Sequence, residues 1–124
     1  MAMAHRSIAL LACLVLLATA CAPVSAASHG PNTVQVFEPT GKPDDWTFFP
    51  GEVSVARGTV VAFVNGGREF HTVTSDSPGR PFDLSINANQ SGTITFDQVG
   101  TFSYHCGVHP QMKGVVRVCD GPCT

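Results

Sequence analysis

Basic residues are scarce in this chain, which has only 7 lysines and arginines among 124 residues and a formal net charge of −2 at pH 7. They form no stripe that could follow a phosphate backbone. Nucleic acid is therefore a poor partner, and electrostatic attachment to anionic lipid would be weak. The one long apolar run, SIALLACLVLLATA, lies near the N-terminus and is too short to span a bilayer comfortably.

Sustained helical periodicity is also missing. The chain instead shows short alternating or apolar runs, and glycine or proline interrupts almost every junction between them. We expect TVVAFVN to be a strand covered on both faces, and a short helix or an irregular loop somewhere within SDSPGRPFDLSINANQ. Parallel α/β architecture is excluded because there are no crossover helices. The pattern predicts an all-β fold, a Greek-key β-sandwich or barrel of about eight strands, with candidates TVQVF, EVSVA, TVVAFVN, FHTVTS, SGTITF, TFSYHC and GVVRVC.

The N-terminus has the features of an export signal. Arg6 precedes the apolar run, and small residues follow it, so we expect cleavage after Ala26. This would leave 124 − 26 = 98 residues and change the formal charge from −2 to −3, because Arg6 is lost. The alternative is a lipoprotein signal ending before Cys21, which would tether the domain to a membrane. The expected organisation is a signal at 1–26, a flexible leader at 27–32, the folded domain at 33–119 and a tail at 119–124.

An odd number of cysteines remains after export. Cys13 leaves with the signal, and Cys21 is either removed or lipidated, so three are left. The motif CDGPC contains a Gly-Pro turn that can bring Cys119 and Cys123 within disulfide range. Cys106 then stays unpaired, which is a liability in an oxidising compartment unless something occupies the thiol.

Three other possible metal donors lie close to that unpaired cysteine. In YHCGVHPQM, Cys106, His109 and Met112 are each three residues apart, and Met112 is the one methionine left after cleavage. A tight loop can turn all three side chains toward one centre, whereas an extended strand would scatter them over two faces. His105 precedes Cys106 on the strand and should point to the opposite face. Soft sulfur donors favour copper, zinc or iron-sulfur chemistry over calcium or magnesium.

A fourth donor must come from elsewhere in the sandwich, and His71 is the candidate. It begins a strand directly after the connection NGGREF, 35 residues before Cys106. Two histidines, one thiolate and a weak axial thioether form the blue-copper geometry of electron transfer. Such a site suits both copper(II) and copper(I) moderately, so little has to move when the electron does. We therefore predict one copper ion held by His71, Cys106, His109 and Met112.

The sequence resembles the small cupredoxins, in particular the plastocyanin, amicyanin and pseudoazurin group. The segments that carry the resemblance are FFPGEVSVARGTVVAFVNGG, FHTVTSD and GTFSYHCGVHPQMKGVVRV, and together they extend from about Val34 to Val118. The spacing from cysteine to histidine to methionine is that of amicyanin. The resemblance implies a Greek-key sandwich with copper near one end, and electron entry and exit through the exposed edge of His109 within an apolar patch.

The resemblance also implies roles for residues around the ligands. Thr72 should donate its backbone N–H to the Cys106 sulfur, while its hydroxyl ties the ligand loop. Val108 keeps an amide N–H where relatives often have proline, which permits a second hydrogen bond to the thiolate. Pro110 stiffens the loop beyond His109.

The main functional hypothesis is an exported, monomeric one-electron carrier that is not an enzyme, because the sequence reveals no open coordination position or substrate pocket. We expect it in the periplasm or otherwise outside the cytoplasm, with redox proteins as partners at the apolar patch. One alternative is a periplasmic protein that stores, delivers or buffers copper. Another is a β-sandwich, metal-free or zinc-bound, that binds other proteins; a zinc site would be colourless and redox-silent.

Overall fold

The computed structural model describes residues 30–124, in which nine strands and one turn of 3₁₀ helix follow one another. The 3₁₀ turn, Pro43–Asp45, lies between the first two strands. No helix in this part of the chain is both long and apolar enough to cross a membrane. The strands are β1 (Thr33–Phe37), β2 (Thr47–Phe49), β3 (Glu52–Ala56), β4 (Thr59–Asn65), β5 (His71–Ser75), β6 (Asp83–Ile86), β7 (Gln90–Phe96), β8 (Gly100–His105) and β9 (Lys113–Cys119).

The strands form two sheets. One has the order β2-β1-β4-β7, and the other has the order β3-β9-β8-β5-β6. Two pairs are parallel, β1 with β4 and β3 with β9, and the remaining pairs are antiparallel. Strands that are neighbours in a sheet are often distant in the sequence, as in Greek-key sandwiches. The all-β prediction is confirmed, with one strand more than the eight expected.

The two strands that the sequence did not predict are the shortest or most irregular. β2 has three residues, and Phe48 pairs with Val36 of β1. β6 lies inside the segment expected to be a short helix or an irregular loop, and Ile86 pairs with His71. Three or four residues are too few to establish an alternating pattern, so only tertiary pairing defines these strands.

The core lies between the sheets and is built from alternate residues of each strand, as β-strand geometry requires. In β4, Val61 and Phe63 are fully buried, whereas Val60 is 51% exposed. The expectation that TVVAFVN is covered on both faces is therefore wrong, because the outer face of β4 is open to solvent. The largest fully buried side chains include Tyr104, Phe48, Phe63, Ile86 and Met112.

Tyr104 occupies the centre of this core. Its ring meets those of Phe48 and Phe63 edge to face, with centroids 5.0 and 5.6 Å apart. Its hydroxyl is buried and has no hydrogen-bond partner among the described residues. Burial raises the pKa of Tyr104 well above its usual value. The phenol therefore contributes as a hydrophobic ring, and its oxygen is a cost to stability.

Removing that oxygen tests this account. Because an unsatisfied buried polar group costs about 1–3 kcal/mol, we expect Tyr104→Phe to raise the free energy of unfolding by about 1 kcal/mol. Thermal and denaturant unfolding of the two proteins measure the difference. A loss of stability would show that the hydroxyl has a partner after all.

Several predictions concern the chain ends. The signal at 1–26, Cys13 and Cys21 lie outside the described residues, as does the first half of the 27–32 leader. At the other end, the Sγ atoms of Cys119 and Cys123 lie 2.08 Å apart and their Cα atoms 5.4 Å apart. Cys106 is the free cysteine of the described residues and is buried. Cys119 and Cys123 are thus placed to form a disulfide with each other, and the Cys106 thiol is left for another role.

Candidate metal centre

His71 is fully buried at the start of β5. The connection that leads into it is held by Asn65, the buried last residue of β4. The Asn65 side-chain amide donates to the carbonyls of Glu69 at 2.7 Å and Ile86 at 3.2 Å, and its oxygen accepts the Gly67 N–H at 3.0 Å. These bonds fix the loop, so the position of the His71 ring follows from the fold.

The other three predicted ligands lie on the loop between β8 and β9. The Cys106 N–H donates to the carbonyl of Met112 at 3.0 Å, and the Met112 N–H donates to the carbonyl of His109 at 2.9 Å. Pro110 lies within this closed turn, where its ring restricts the backbone directly after His109. The side chains of Cys106 and Met112 are fully buried, whereas His109 is half-buried.

Two histidines and the cysteine converge on one point. The Cys106 Sγ lies 3.6 Å from the Nδ1 of His71 and 3.8 Å from the Nδ1 of His109. All three donor atoms lie within 4.8 Å of one another. With metal–nitrogen and metal–sulfur distances of about 2.0 and 2.3 Å, donors 120° apart are separated by about 3.7 Å. The three atoms therefore have the spacing of ligands around a single transition-metal ion.

The thiolate is supported by Thr72. Its backbone N–H donates to the Cys106 Sγ at 3.3 Å, and its hydroxyl oxygen accepts the Gly107 N–H at 2.8 Å. The same hydroxyl lies 2.8 Å from that of Thr74. The structure thus places Thr72 where the sequence expected it. The hydrogen bonds of the described residues include none from the Val108 N–H to the sulfur, which the sequence permits, and the Val108 side chain is 52% exposed.

Glu38 contacts His71, although no sequence motif pointed to it. Its Oε1 lies 2.9 Å from the Nε2 of His71. Burial by itself raises the pKa of Glu38, but the N–H groups of Arg68 and Glu69 and the contact with His71 hold it below its usual value. The carboxylate is therefore charged at neutral pH. A contact across 33 residues leaves no local signal by which the sequence could have revealed it.

Trp46 is a second residue that sequence reasoning missed. Its ring centroid lies 4.9 Å from that of His109 and 5.8 Å from that of His71, in edge-on geometry. The indole N–H donates to the carbonyl of Thr40 at 2.7 Å. The side chain is mostly buried, so it excludes water from one side of both imidazoles. A single tryptophan in a chain of this size stands out in the sequence, but nothing in its local sequence linked it to the histidines.

The environment favours the uncharged form of His109. Burial lowers the pKa of His109, and the neighbouring His71, with ring centroids 4.8 Å apart, lowers it further. A neutral imidazole is the form that binds a metal. His105, in contrast, is turned away from the site and pairs with Asp76, as the alternation of side chains along β8 predicts.

Comparison with known proteins agrees with the fold, although no family model matches the chain. The two-sheet sandwich, with His71, Cys106 and Met112 buried and His109 half-buried, is similar to the cupredoxins. Its structure is similar to that of a purple cupredoxin from Nitrosopumilus maritimus, with a TM-score of 0.60 and 21% identity over 70% of this chain and 98% of that one.

Two curated relatives are more similar in sequence. A chloroplastic plastocyanin from Physcomitrium patens is 36% identical over 57% of this chain, and amicyanin-alpha from Methylorubrum extorquens is 35% identical over 54%. The chain spans 49% and 60% of the lengths of these two proteins. The likeness therefore extends over only part of either relative.

Proposed function

We propose that this protein is a one-electron carrier with a type 1 copper site formed by His71, Cys106, His109 and Met112. The observation that carries the proposal is the convergence of Cys106 Sγ with the Nδ1 atoms of both histidines at 3.6 and 3.8 Å. Copper bound by such a mixed nitrogen and sulfur donor set would supply a Cu(II)/Cu(I) couple. The resemblance to plastocyanin and amicyanin supports the same reading.

The chain's contribution is to hold its donors still. Cys106 and Met112 are joined by a backbone hydrogen bond, Gly107 is bonded to Thr72, and the His71 ring is enclosed by protein. Burial of most of the donor set excludes water. Ligands that are fixed in this way do not rearrange when the charge at the site changes, so the reorganisation energy of electron transfer is small. A site held in this way suits an electron carrier better than it suits a protein that must release its metal.

The distinction between a carrier and a copper-handling protein can be measured directly. The copper-loaded protein should pass through repeated cycles of ascorbate reduction and ferricyanide oxidation, in the presence of a copper(I) chelator, with its copper content unchanged. Transfer of copper to the chelator during the first reduction would favour storage or delivery. A protein that prefers zinc and has no visible band would favour the binding-module alternative.

We also propose that redox partners dock around His109. This side chain is half-buried, and two apolar residues next to ligands in the chain are exposed, Val108 by 52% and Phe70 by 41%. An apolar patch allows a redox partner to approach the edge of His109 closely without requiring a surface of opposite charge. A formal charge of −3 after cleavage is too small to dominate the encounter.

A charge placed in this patch should slow electron transfer without altering the site. For Val108→Asp we expect the electron self-exchange rate, measured by NMR line broadening in mixed oxidation states, to fall at least about tenfold because like charges meet at the contact. Val60→Asp is the matched control, since Val60 is 51% exposed and lies at the opposite end of β4 from the ligands. Equal rates for the two variants would place docking elsewhere.

Export is the remaining part of the proposal. The signal-like N-terminus and the free, buried Cys106 suit a mature protein that acquires copper outside the cytoplasm. Mass spectrometry of the protein isolated from its host would give the mature N-terminus. A start at Ala27 would support a released protein, and an acylated Cys21 would support a tethered one.

A further inference from the structure

Glu38 is brought to the metal centre by the pairing of β1 with β4. These strands run parallel, and their last pair joins Val36 to Asn65. Two residues beyond Val36, Glu38 therefore lies beside the loop that follows Asn65 and leads to His71. The Glu38 side chain is only 9% exposed, and that of His71 is fully buried.

The carboxylate of Glu38 is fixed on both of its oxygens. Oε2 accepts the Arg68 N–H at 3.0 Å, and Oε1 accepts the Glu69 N–H at 3.3 Å. Oε1 also lies 2.9 Å from the His71 Nε2. A carboxylate that is held by two backbone donors cannot swing away, so its contact with the imidazole is a fixed feature of the loop.

Gly67 shows that the loop is built around this carboxylate. A Cβ at position 67 would collide with the carboxyl group of Glu38. The φ angle of Gly67 is not in the left-handed region, so backbone conformation does not explain the glycine. Its role is instead to let the backbone approach Glu38 closely.

The contact determines which His71 nitrogen carries the proton. An anionic oxygen at Nε2 requires Nε2–H, and in the neutral imidazole this leaves the lone pair on Nδ1. Nδ1 is the atom that lies 3.6 Å from the Cys106 sulfur. The imidazole is therefore held in the tautomer and the orientation that a metal bound by Cys106 would require.

We propose that Glu38 is a positioning residue that pre-organises His71 as a metal ligand and increases the donor strength of its ring. This inference rests on the proposed copper site. The negative charge of Glu38 also favours the more positive copper(II) over copper(I). Loss of the charge should therefore weaken copper(II) binding more than copper(I) binding and raise the reduction potential.

Two variants separate the charge of Glu38 from its hydrogen bond. Glu38→Gln keeps an acceptor oxygen but removes the charge, whereas Glu38→Ala removes both. Outer-shell partners of this kind typically contribute 10- to 100-fold to metal affinity, so we expect the copper(II) dissociation constant of Glu38→Ala to rise by about that factor. For Glu38→Gln, a tenfold larger loss for copper(II) than for copper(I) would raise the potential by about 59 mV. Glu52→Gln is the control, because it removes the same charge from a carboxylate that pairs with Arg117 and not with His71.

A measurement on the copper-free protein keeps this proposal separate from the proposed function. Long-range ¹⁵N–¹H NMR spectra should show His71 as the Nε2–H tautomer in the parent protein and as a mixture of tautomers in Glu38→Ala. If the parent protein shows that single tautomer but binds no copper, the proposed function fails and the positioning role stands. If all the proteins bind copper with the same affinity and potential, and the tautomer does not change, the positioning role is wrong.

Discussion

Replacing Cys106 with serine is expected to abolish the intense visible absorption of the copper(II)-loaded protein and its narrow copper hyperfine splitting. Both signals require a thiolate bonded to the metal, and Cys106 is the free cysteine of the described residues. A hydroxyl oxygen is a harder donor and does not replace a thiolate toward copper(I). We also expect copper(I) affinity to fall by at least about a hundredfold, since this substitution removes a direct ligand and outer-shell changes alone reach that size. Visible and electron paramagnetic resonance spectra of both proteins measure the effect.

The matched control for this prediction is a Cys119→Ser, Cys123→Ser double variant. It removes the two tail cysteines, whose Sγ atoms lie 2.08 Å apart, and leaves the Cys106 thiol intact. The blue band should persist in this variant. A pale, tetragonal copper spectrum that is the same with and without Cys106 would show that the ligand set is wrong, and copper handling would become the better interpretation.

The ligand loop could be predicted from sequence because its donors are local. Cys106, His109 and Met112 lie within seven residues, so their spacing alone indicates a common centre. His71 could be included because it begins a strand and because the sequence resembles the cupredoxins. The burial of Val34 and Val36 followed from strict alternation in β1, which needs no tertiary information.

The surroundings of the site could not be predicted in the same way. Glu38 meets His71 because β1 and β4 pair in parallel, and Trp46 meets both histidines because the segment after β1 folds back over them. Gln111 joins this segment to the ligand loop by donating to the carbonyl of Pro43 at 2.6 Å. These contacts link positions 25 to 68 residues apart, and their geometry depends on strand register.

The hydrogen bond that the Val108 N–H permits stays a prediction for the same reason. An available N–H permits a hydrogen bond, but only the turn geometry decides where that N–H points. In this loop the sulfur receives the N–H of Thr72 from the adjacent strand, while the Val108 side chain is exposed. Local sequence thus gives the possible donors around a ligand, and the fold selects among them.

Replacing Gly114 with alanine is expected to destabilise the domain by about 3 kcal/mol or more, at the upper end of the range for overpacked cores. A Cβ at this position would collide with the phenol ring of Tyr104, whose contacts with Phe48 and Phe63 leave the ring no room to move. Such a loss is a large share of the 5–15 kcal/mol that typically stabilises a domain. Urea unfolding of the metal-free protein measures it, and Gly41→Ala is the control, because a Cβ there meets nothing within 4 Å.

The same substitution tests whether the core and the metal centre are mechanically linked. Gly114 lies two residues beyond Met112, and its β9 neighbours pair with β8 directly before Cys106. A shift of β9 away from Tyr104 would therefore move Met112 relative to the histidines, and we expect Gly114→Ala to lose copper faster than the parent protein. Tyr104→Leu should restore part of the stability in the double variant, giving a favourable coupling energy of about 1 kcal/mol or more. Additive losses in the two single variants would mean that the collision with Tyr104 is not the cause.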